Sequence, residues 1–255
     1  MHNLKKEKTY AFLLVLTVLL SLLCSKTSSL SDSKHGNSTS FDESSMENIA
    51  RNITVKVYSE DTWASGIILC RREESYVVAT SKHFLSASEW VRVKTPDSET
   101  YVSSVVNLPE VSRIDVGLLM FTGVSQNYHT AQFDRNLGNT LNKKANVSGF
   151  PLDIESGLND RLSITEGEVM MILEQPLFNG YQIGYTNEIS QGMSGGPLLD
   201  WQGHVIGLNG LRRFPLWGNP YVYQDGTDVP DPEQLRQLAW AIPINVVLSQ
   251  AAAIC

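Results

Sequence analysis

With 255 residues, 42% of them hydrophobic and 18% charged, the chain is long enough for one large all-β domain or two small domains with filled cores. Its formal charge of −7, with no stripe of Lys and Arg to neutralise phosphates, excludes nucleic acid as a partner. No metal cluster, phosphate loop or cofactor fingerprint occurs along the sequence, so neither a metal nor a cofactor is expected.

Lys5, Lys6 and Lys8 precede an apolar run at 11–23, followed by Cys24 and a serine-rich stretch. A basic start and a short apolar run are the layout of a secretory signal. Those 13 residues would rise about 20 Å as a helix, short of the roughly 30 Å hydrocarbon core. Residues 1–24 are read as a signal peptide, or as an N-terminal anchor if uncleaved, and the protein as exported, periplasmic or secreted. A membrane is met only through that segment. Leu22 and Leu23 stand where a lipidation site needs small residues, so Cys24 is not read as a lipid attachment point. Residues 25–48, rich in Ser, Thr, Asn, Asp and Lys, are expected to be disordered, because they cannot bury enough surface to offset chain entropy. Asn37, Asn52 and Asn146 begin glycosylation sequons, which matter only in a glycosylating host. Beyond the leader only Cys70 and Cys255 remain, too few for a disulfide framework, and whether they pair is left open.

From residue 49 the texture changes to short β-type runs separated by turn residues. A first set lies at 53–58, 65–70, 75–80, 90–93, 101–107 and 116–121; a second at 144–151, 163–173, 182–186, 197–199, 204–209 and 240–244. The turn at 200–203 joins two of these as a hairpin, and 211–231, with its prolines, glycines and aromatics, is a long irregular loop. Asp231, Pro232 and Glu233 open a short helix, and Asn245 is placed as the cap of a last helix at 246–253. With no long helical period, the fold class is all-β. Two six-stranded antiparallel β-barrels, at about 49–125 and 140–245, would hold a site in the cleft between them.

Gly192-Met193-Ser194-Gly195-Gly196-Pro197 is poor material for a core and good material for a tight loop presenting a hydroxyl. Such a string is by itself also an ordinary glycine turn. A serine hydroxyl needs a base, itself held by a third group. Of the five histidines, His2 and His35 precede the fold, His129 lies in a polar connection and His204 follows an exposed turn. His83 remains, just beyond the strand at 75–80. Asp115 opens the apolar run Val116-Gly117-Leu118-Leu119.

These three stretches resemble the histidine, aspartate and serine segments of trypsin-like serine proteases, in the chain order of that family. The resemblance covers about 54–249. It is nearest in flavour to bacterial Deg-type and cyanobacterial trypsin-like peptidases, through Ser65-Gly66-Ile67-Ile68, the Pro96-Asp97 turn and the Ala241-Ile242-Pro243 strand. It implies a serine endopeptidase acting on protein or peptide substrates through an acyl-enzyme. His83 would be the base, Asp115 its orienting acid and Ser194 the nucleophile, with the N–H groups of Gly192 and Ser194 as the oxyanion hole. Met193 stands where digestive relatives carry aspartate, so activation by an inserted N-terminus is not expected. Lys82 is expected to depress the His83 pKa slightly. Six residues before Ser194, Glu188 is either an acidic pocket base favouring Arg or Lys at P1 or an exposed loop carboxylate. Asn209 lies in the wall at 207–210, which lacks the histidine of glutamate-specific relatives. An esterase of the Gly-x-Ser-x-Gly type is excluded, because a strand follows the serine and the other partners precede it. The alternative reading is a catalytically silent protease-fold module that binds peptides.

Overall fold

Runs of β-branched and aromatic residues broken every few positions by Gly, Ser or Asp pair into short strands rather than coil into helices. In the computed structural model this produces two barrels. The structure describes residues 43–60, 62–86, 90–108, 113–123, 127–152, 160–215 and 220–255. The leader at 1–24 and residues 25–42 of the polar segment lie outside the described residues.

The first barrel comprises β1 (Thr54–Ser59), β2 (Thr62–Arg72), β3 (Ser75–Thr80), β4 (Arg92–Lys94), β5 (Thr100–Val102), β6 (Ser104–Val106) and β7 (Gly117–Thr122). All neighbours are antiparallel, in the order β5-β4-β1-β2-β3-β7-β6. It therefore has seven strands where six were expected. The run at 101–107 is two strands, not one, because Ser103 corners the chain. Its N–H and its hydroxyl both donate to the Val91 carbonyl, at 3.1 and 2.9 Å. Before that corner the chain pairs with β4; after it, with β7. The two edges of the sheet are thus adjacent in the chain, and the barrel is nearly closed.

The second barrel is closed, with strand order β10-β13-β12-β11-β8-β9. Its members are β8 (Lys144–Gly149), β9 (Ser163–Ile172), β10 (Ile183–Tyr185), β11 (Pro197–Asp200), β12 (Val205–Leu211) and β13 (Ala239–Pro243). The β11–β12 hairpin turns as expected: Asp200 Oδ1 accepts from the N–H groups of Gln202 and His204, and Gly203 takes φ +85°.

Each barrel has its own apolar filling, and a third cluster joins them. On β3, Tyr76 and Val78 point into the first barrel, whereas Val77 and Ala79 point out into the shared cluster. There they meet Leu199, Val205, Leu208, Trp240 and Ile242 of the second barrel. Burial on both faces explains why β3 reads as a continuous apolar run instead of an alternating one.

Four helices complete the described chain. α1 (Glu43–Ile53) corrects the expectation of disorder up to residue 48. Met46, Ala50 and Ile53 recur at helical spacing and are buried in the shared cluster, and burial of a Met or Ile side chain is worth roughly 1.5–3 kcal/mol. α2 (Lys82–Leu85) is a single turn. α3 (Pro232–Leu235) begins as anticipated, the Asp231 carboxylate accepting from the Gln234 N–H. α4 (Ile244–Ala251) starts two residues before the expected 246, with Pro243 rather than Asn245 at its N-cap. No helix among the described residues is long and apolar enough to cross a membrane.

Cys70 and Cys255 form a disulfide, with Cα atoms 5.9 Å apart. It fastens the chain beyond α4 onto β2 and closes a sequence separation of 185 residues. A crosslink over so long a loop removes up to about 5 kcal/mol of unfolded-state entropy, and native bridges typically deliver about 2–4 kcal/mol. Cys255→Ser is therefore expected to lower the unfolding free energy by about 2–4 kcal/mol in urea titrations. Wild type in reductant should give the same midpoint as the variant in its absence; equal midpoints for oxidised wild type and variant would refute a stabilising bridge.

Candidate active site

β3 ends at Thr80, and the chain turns through Ser81 into α2. Phe84 and Leu85 bury themselves in the first barrel, which leaves His83 on the opposite side of the turn, its side chain 56% exposed. Asp115 sits just ahead of β7, with the buried Val116 between it and the strand. Its backbone N–H donates to the Asn179 carbonyl of the second barrel at 3.0 Å.

The Asp115 side chain is only 5% exposed, and a buried carboxylate must be matched by donors. Oδ1 accepts the His83 backbone N–H at 2.8 Å. Oδ2 accepts the His83 imidazole Nδ1–H at 2.6 Å and the Tyr181 hydroxyl at 2.6 Å. A carboxylate on Nδ1 places the proton there and leaves Nε2 as a base facing outward. The bond from Asp115, supplemented by its charge and opposed by partial burial, raises the His83 pKa above 6.5. This corrects the expected depression by Lys82: the carboxylate bonds the ring directly, while the Lys82 side chain is exposed.

Ser194 belongs to the loop that leads into β11 of the second barrel. Gly192 and Gly195 adopt φ +89° and +86°, conformations that L side chains avoid. A Cβ on Gly192 would strike the Phe150 carbonyl, and one on Gly195 the Ser65 carbonyl and the Thr80 hydroxyl. Within the loop, the N–H groups of Met193, Gly195 and Gly196 bond to the carbonyls of Ser190, Asn209 and Met193. Those of Gly192 and Ser194 make no hydrogen bond among the described residues. The Ser194 hydroxyl donates to the Gly210 carbonyl at 3.3 Å, and no hydrogen bond joins it to His83.

Three anchors hold this loop. Met193, 1% exposed, plugs the core of the second barrel, so its position is fixed by apolar burial. Ser65 on β2 reaches across from the first barrel: its hydroxyl donates to the Gly192 carbonyl and its N–H to the Ser194 carbonyl, each at 2.8 Å. Asn209 supplies the third, its Nδ2 donating to the Met193 carbonyl at 2.9 Å while its Oδ1 accepts the Tyr185 hydroxyl at 2.5 Å. Asn209 is wholly buried. The expectation that it lines a substrate pocket is corrected: its amide is consumed in fixing the loop.

Glu188 takes the second of the two roles left open for it. Its side chain is 87% exposed and paired with Arg213 Nη2 at 3.0 Å, an exposed loop carboxylate rather than a pocket base. The structure thus joins His83 to Asp115 and sets the loop of Gly192 and Ser194 against Ser65 of the first barrel; Glu188 and Asn209 take other roles. Ser65 and Tyr181 were missed. Ser65 lies 127 positions from Gly192 and Tyr181 lies 66 from Asp115, and neither pairing leaves a local pattern.

The family model described as trypsin-like peptidase domain matches residues 64–208. Among curated proteins, the chain is similar to Serine protease Do-like HtrA of Lactobacillus helveticus, 25% identical over 209 residues, covering 82% of this chain and 46% of that protein. The chain therefore spans about half the length of that relative. Among solved structures it resembles the HtrA-type protease AlgW with tripeptide, with a TM-score of 0.61 at 18% identity over 82% of this chain and 62% of the other. It also resembles the serine endoprotease from Yersinia pestis, with a TM-score of 0.57 at 18% identity over 80% of this chain and 63% of the other. These structural likenesses establish a shared fold.

Asn209→Ala would leave the Tyr185 hydroxyl buried without its partner and strip the Met193 carbonyl of one of its two donors. A loss of about 2–3 kcal/mol of stability is expected, accompanied by faster amide exchange at 192–196. Wild-type exchange rates in that loop would show that Asn209 does not hold it.

Proposed function

The chain belongs to the trypsin-like peptidase domain family, and from that premise we propose that it is a serine endopeptidase whose triad is His83, Asp115 and Ser194. The observation that carries the proposal is the 2.6 Å bond between His83 Nδ1 and a buried Asp115 carboxylate. It gives the imidazole the tautomer and the raised basicity that a general base next to a serine needs.

The chemistry follows from these atoms. The Ser194 hydroxyl turns from the Gly210 carbonyl toward His83 Nε2, gives up its proton there, and Oγ bonds to the scissile carbonyl carbon. The carbonyl electron pair moves onto oxygen, where the unbonded N–H groups of Gly192 and Ser194 receive it; one such donor is worth roughly 3–4 kcal/mol of barrier. The C–N bond then breaks as His83 delivers its proton to the leaving amine. Water, deprotonated by the same imidazole, attacks the ester, and the proton returns to Ser194. Asp115 stays ionised throughout, holding the ring and stabilising its cationic form. Substrates are proteins or peptides. With Glu188 already paired to Arg213, a preference for basic P1 side chains does not follow. The basic, apolar start of the sequence supports export, with a membrane met only through that segment.

The silent peptide-binding module is the second reading, favoured by one observation, the Ser194 hydroxyl resting on Gly210 instead of His83. Catalytic hydrogen bonds are often loose until substrate is bound, so this contact does not displace the first reading.

A fluorophosphonate probe should label the wild type and not Ser194→Ala, and casein hydrolysis should vanish with the label. His83→Ala should lose about ten-thousand-fold or more in kcat while keeping its thermal midpoint. Because the His83 pKa is raised, the working neutral imidazole appears only as pH climbs past a limb above 6.5. That limb should fall to lower pH in Asp115→Asn. An unlabelled, inactive wild type would establish the silent module instead.

A further inference from the structure

Asp115 Oδ2 has two donors, and the second is not part of the proposed triad. Tyr181 belongs to the second barrel, in the turn that leads into β10. Gly180, at φ +88°, lets that turn lie directly on Ile114: a Cβ there would stand 3.1 Å from the Ile114 side chain. Ile114 and Asn179 form an isolated parallel bridge, and Asp115 N–H bonds to Asn179 O. Leu177 N–H donates to the Tyr181 carbonyl at 2.8 Å and Gln182 N–H to the Ala241 carbonyl at 3.0 Å, so the backbone on both sides of the ring is tied down. The ring itself packs in the shared apolar cluster. Its hydroxyl is aimed at Asp115, 2.6 Å from Oδ2. The same hydroxyl occupies the space that a side chain on Gly210 would need, and Gly210 carries the carbonyl on which Ser194 rests.

We infer that Tyr181 is a positioning residue of the site, its hydroxyl sharing Asp115 Oδ2 with His83 Nδ1 so as to fix the carboxylate and temper the negative charge that the imidazole feels. The inference rests on the proposed triad. Burial and the neighbouring carboxylate push the Tyr181 phenol well above its ordinary value, so it remains a donor throughout the working pH range. The other titratable groups around it are few. Tyr185 faces Tyr181 from β10, and Lys82 and Arg113, flanking His83 and Asp115 in sequence, both have exposed side chains. A donor removed from Oδ2 leaves more negative charge beside His83, which favours imidazolium. The same removal frees the carboxylate to rotate, which harms the transition state more than substrate binding. A tyrosine serving only as packing would do neither when replaced by phenylalanine.

The test uses the full chain and reads His83 by the pH titration of its imidazole carbon resonance, assigned with His83→Gln. Tyr181→Phe should raise the His83 pKa by about half a unit or more and lower kcat about ten-fold, with KM within about two-fold of wild type. Site-specific 3-fluorotyrosine at 181 keeps ring and hydroxyl but donates more strongly, and should move the His83 pKa downward; it carries the test if the phenylalanine variant does not fold. Wild-type values of both pKa and kcat in Tyr181→Phe, or no downward movement with fluorotyrosine, would overturn the inference. The titration needs no turnover. A wild type without hydrolysis would therefore remove the peptidase reading, while the direction of the pKa shift alone would still decide whether Tyr181 acts on the Asp115–His83 pair.

Discussion

A single buried carboxylate organises this molecule's site. Asp115 is almost fully out of water, and an ion there costs several kcal/mol unless donors replace its hydration. Its three donors come from two barrels: the backbone and ring of His83 from the first, the hydroxyl of Tyr181 from the second. To satisfy the charge, α2 and the turn before β10 must arrive at one point together. The barrels cannot slide past one another without unpairing it. The shared apolar cluster supplies the attraction between them, but apolar contact is non-directional. The carboxylate supplies the registration.

The serine side obeys the same logic by other means. Its loop contains two residues at positive φ and presents the N–H groups of Gly192 and Ser194, unbonded among the described residues, a conformation that would relax if left alone. Three unlike devices resist that relaxation: the apolar side chain of Met193 in the barrel core, the amide of Asn209, and the Ser65 hydroxyl from the facing barrel. Ser65 is in turn held by Thr80, whose hydroxyl donates to the Ser65 carbonyl at 2.7 Å. Thr80 is the last residue of the strand that leads to His83. One short path of hydrogen bonds therefore runs from the Ser194 loop to the strand that leads to His83.

Features that depend on neighbours in sequence were legible before the structure. The β-type runs and the Asp200 and Asp231 turns are written within a few residues, as is the family resemblance carried by the segments around His83, Asp115 and Ser194. Features closed over long loops were not. Tyr181 in Asn179-Gly180-Tyr181 looks like any aromatic after a turn, and Ser65 like any small strand residue. Asn209 was misread because a polar residue beside the loop suggests substrate contact, whereas the buried amide spends both its ends on the scaffold. The Cys70–Cys255 bridge could not be deduced from two cysteines alone. α1 was hidden by composition: its apolar residues sit at helical spacing, but their polar surroundings say disorder unless a surface awaits them. The corner at Ser103 was hidden for the opposite reason, since strand-like residues continue straight through it.

The resting place of the Ser194 hydroxyl fits this picture of a rigid frame with one movable atom. A hydroxyl–carbonyl contact of 3.3 Å lies beyond the usual 2.5–3.0 Å range for such bonds, and a typical one contributes only about 1 kcal/mol net. Turning a serine about χ1 takes picoseconds to nanoseconds when the backbone is already in place. The Gly210 carbonyl therefore holds the Ser194 hydroxyl without latching it. Under the proposed mechanism it is the backbone beneath that must not move, because N–H groups stabilise a developing charge only if they point at it before it forms. Tyr181 lies between these parts, bonded to Asp115 and packed against Gly210. The position of the acid and the position of the carbonyl that parks the serine are thereby set by one ring in the seam between the barrels.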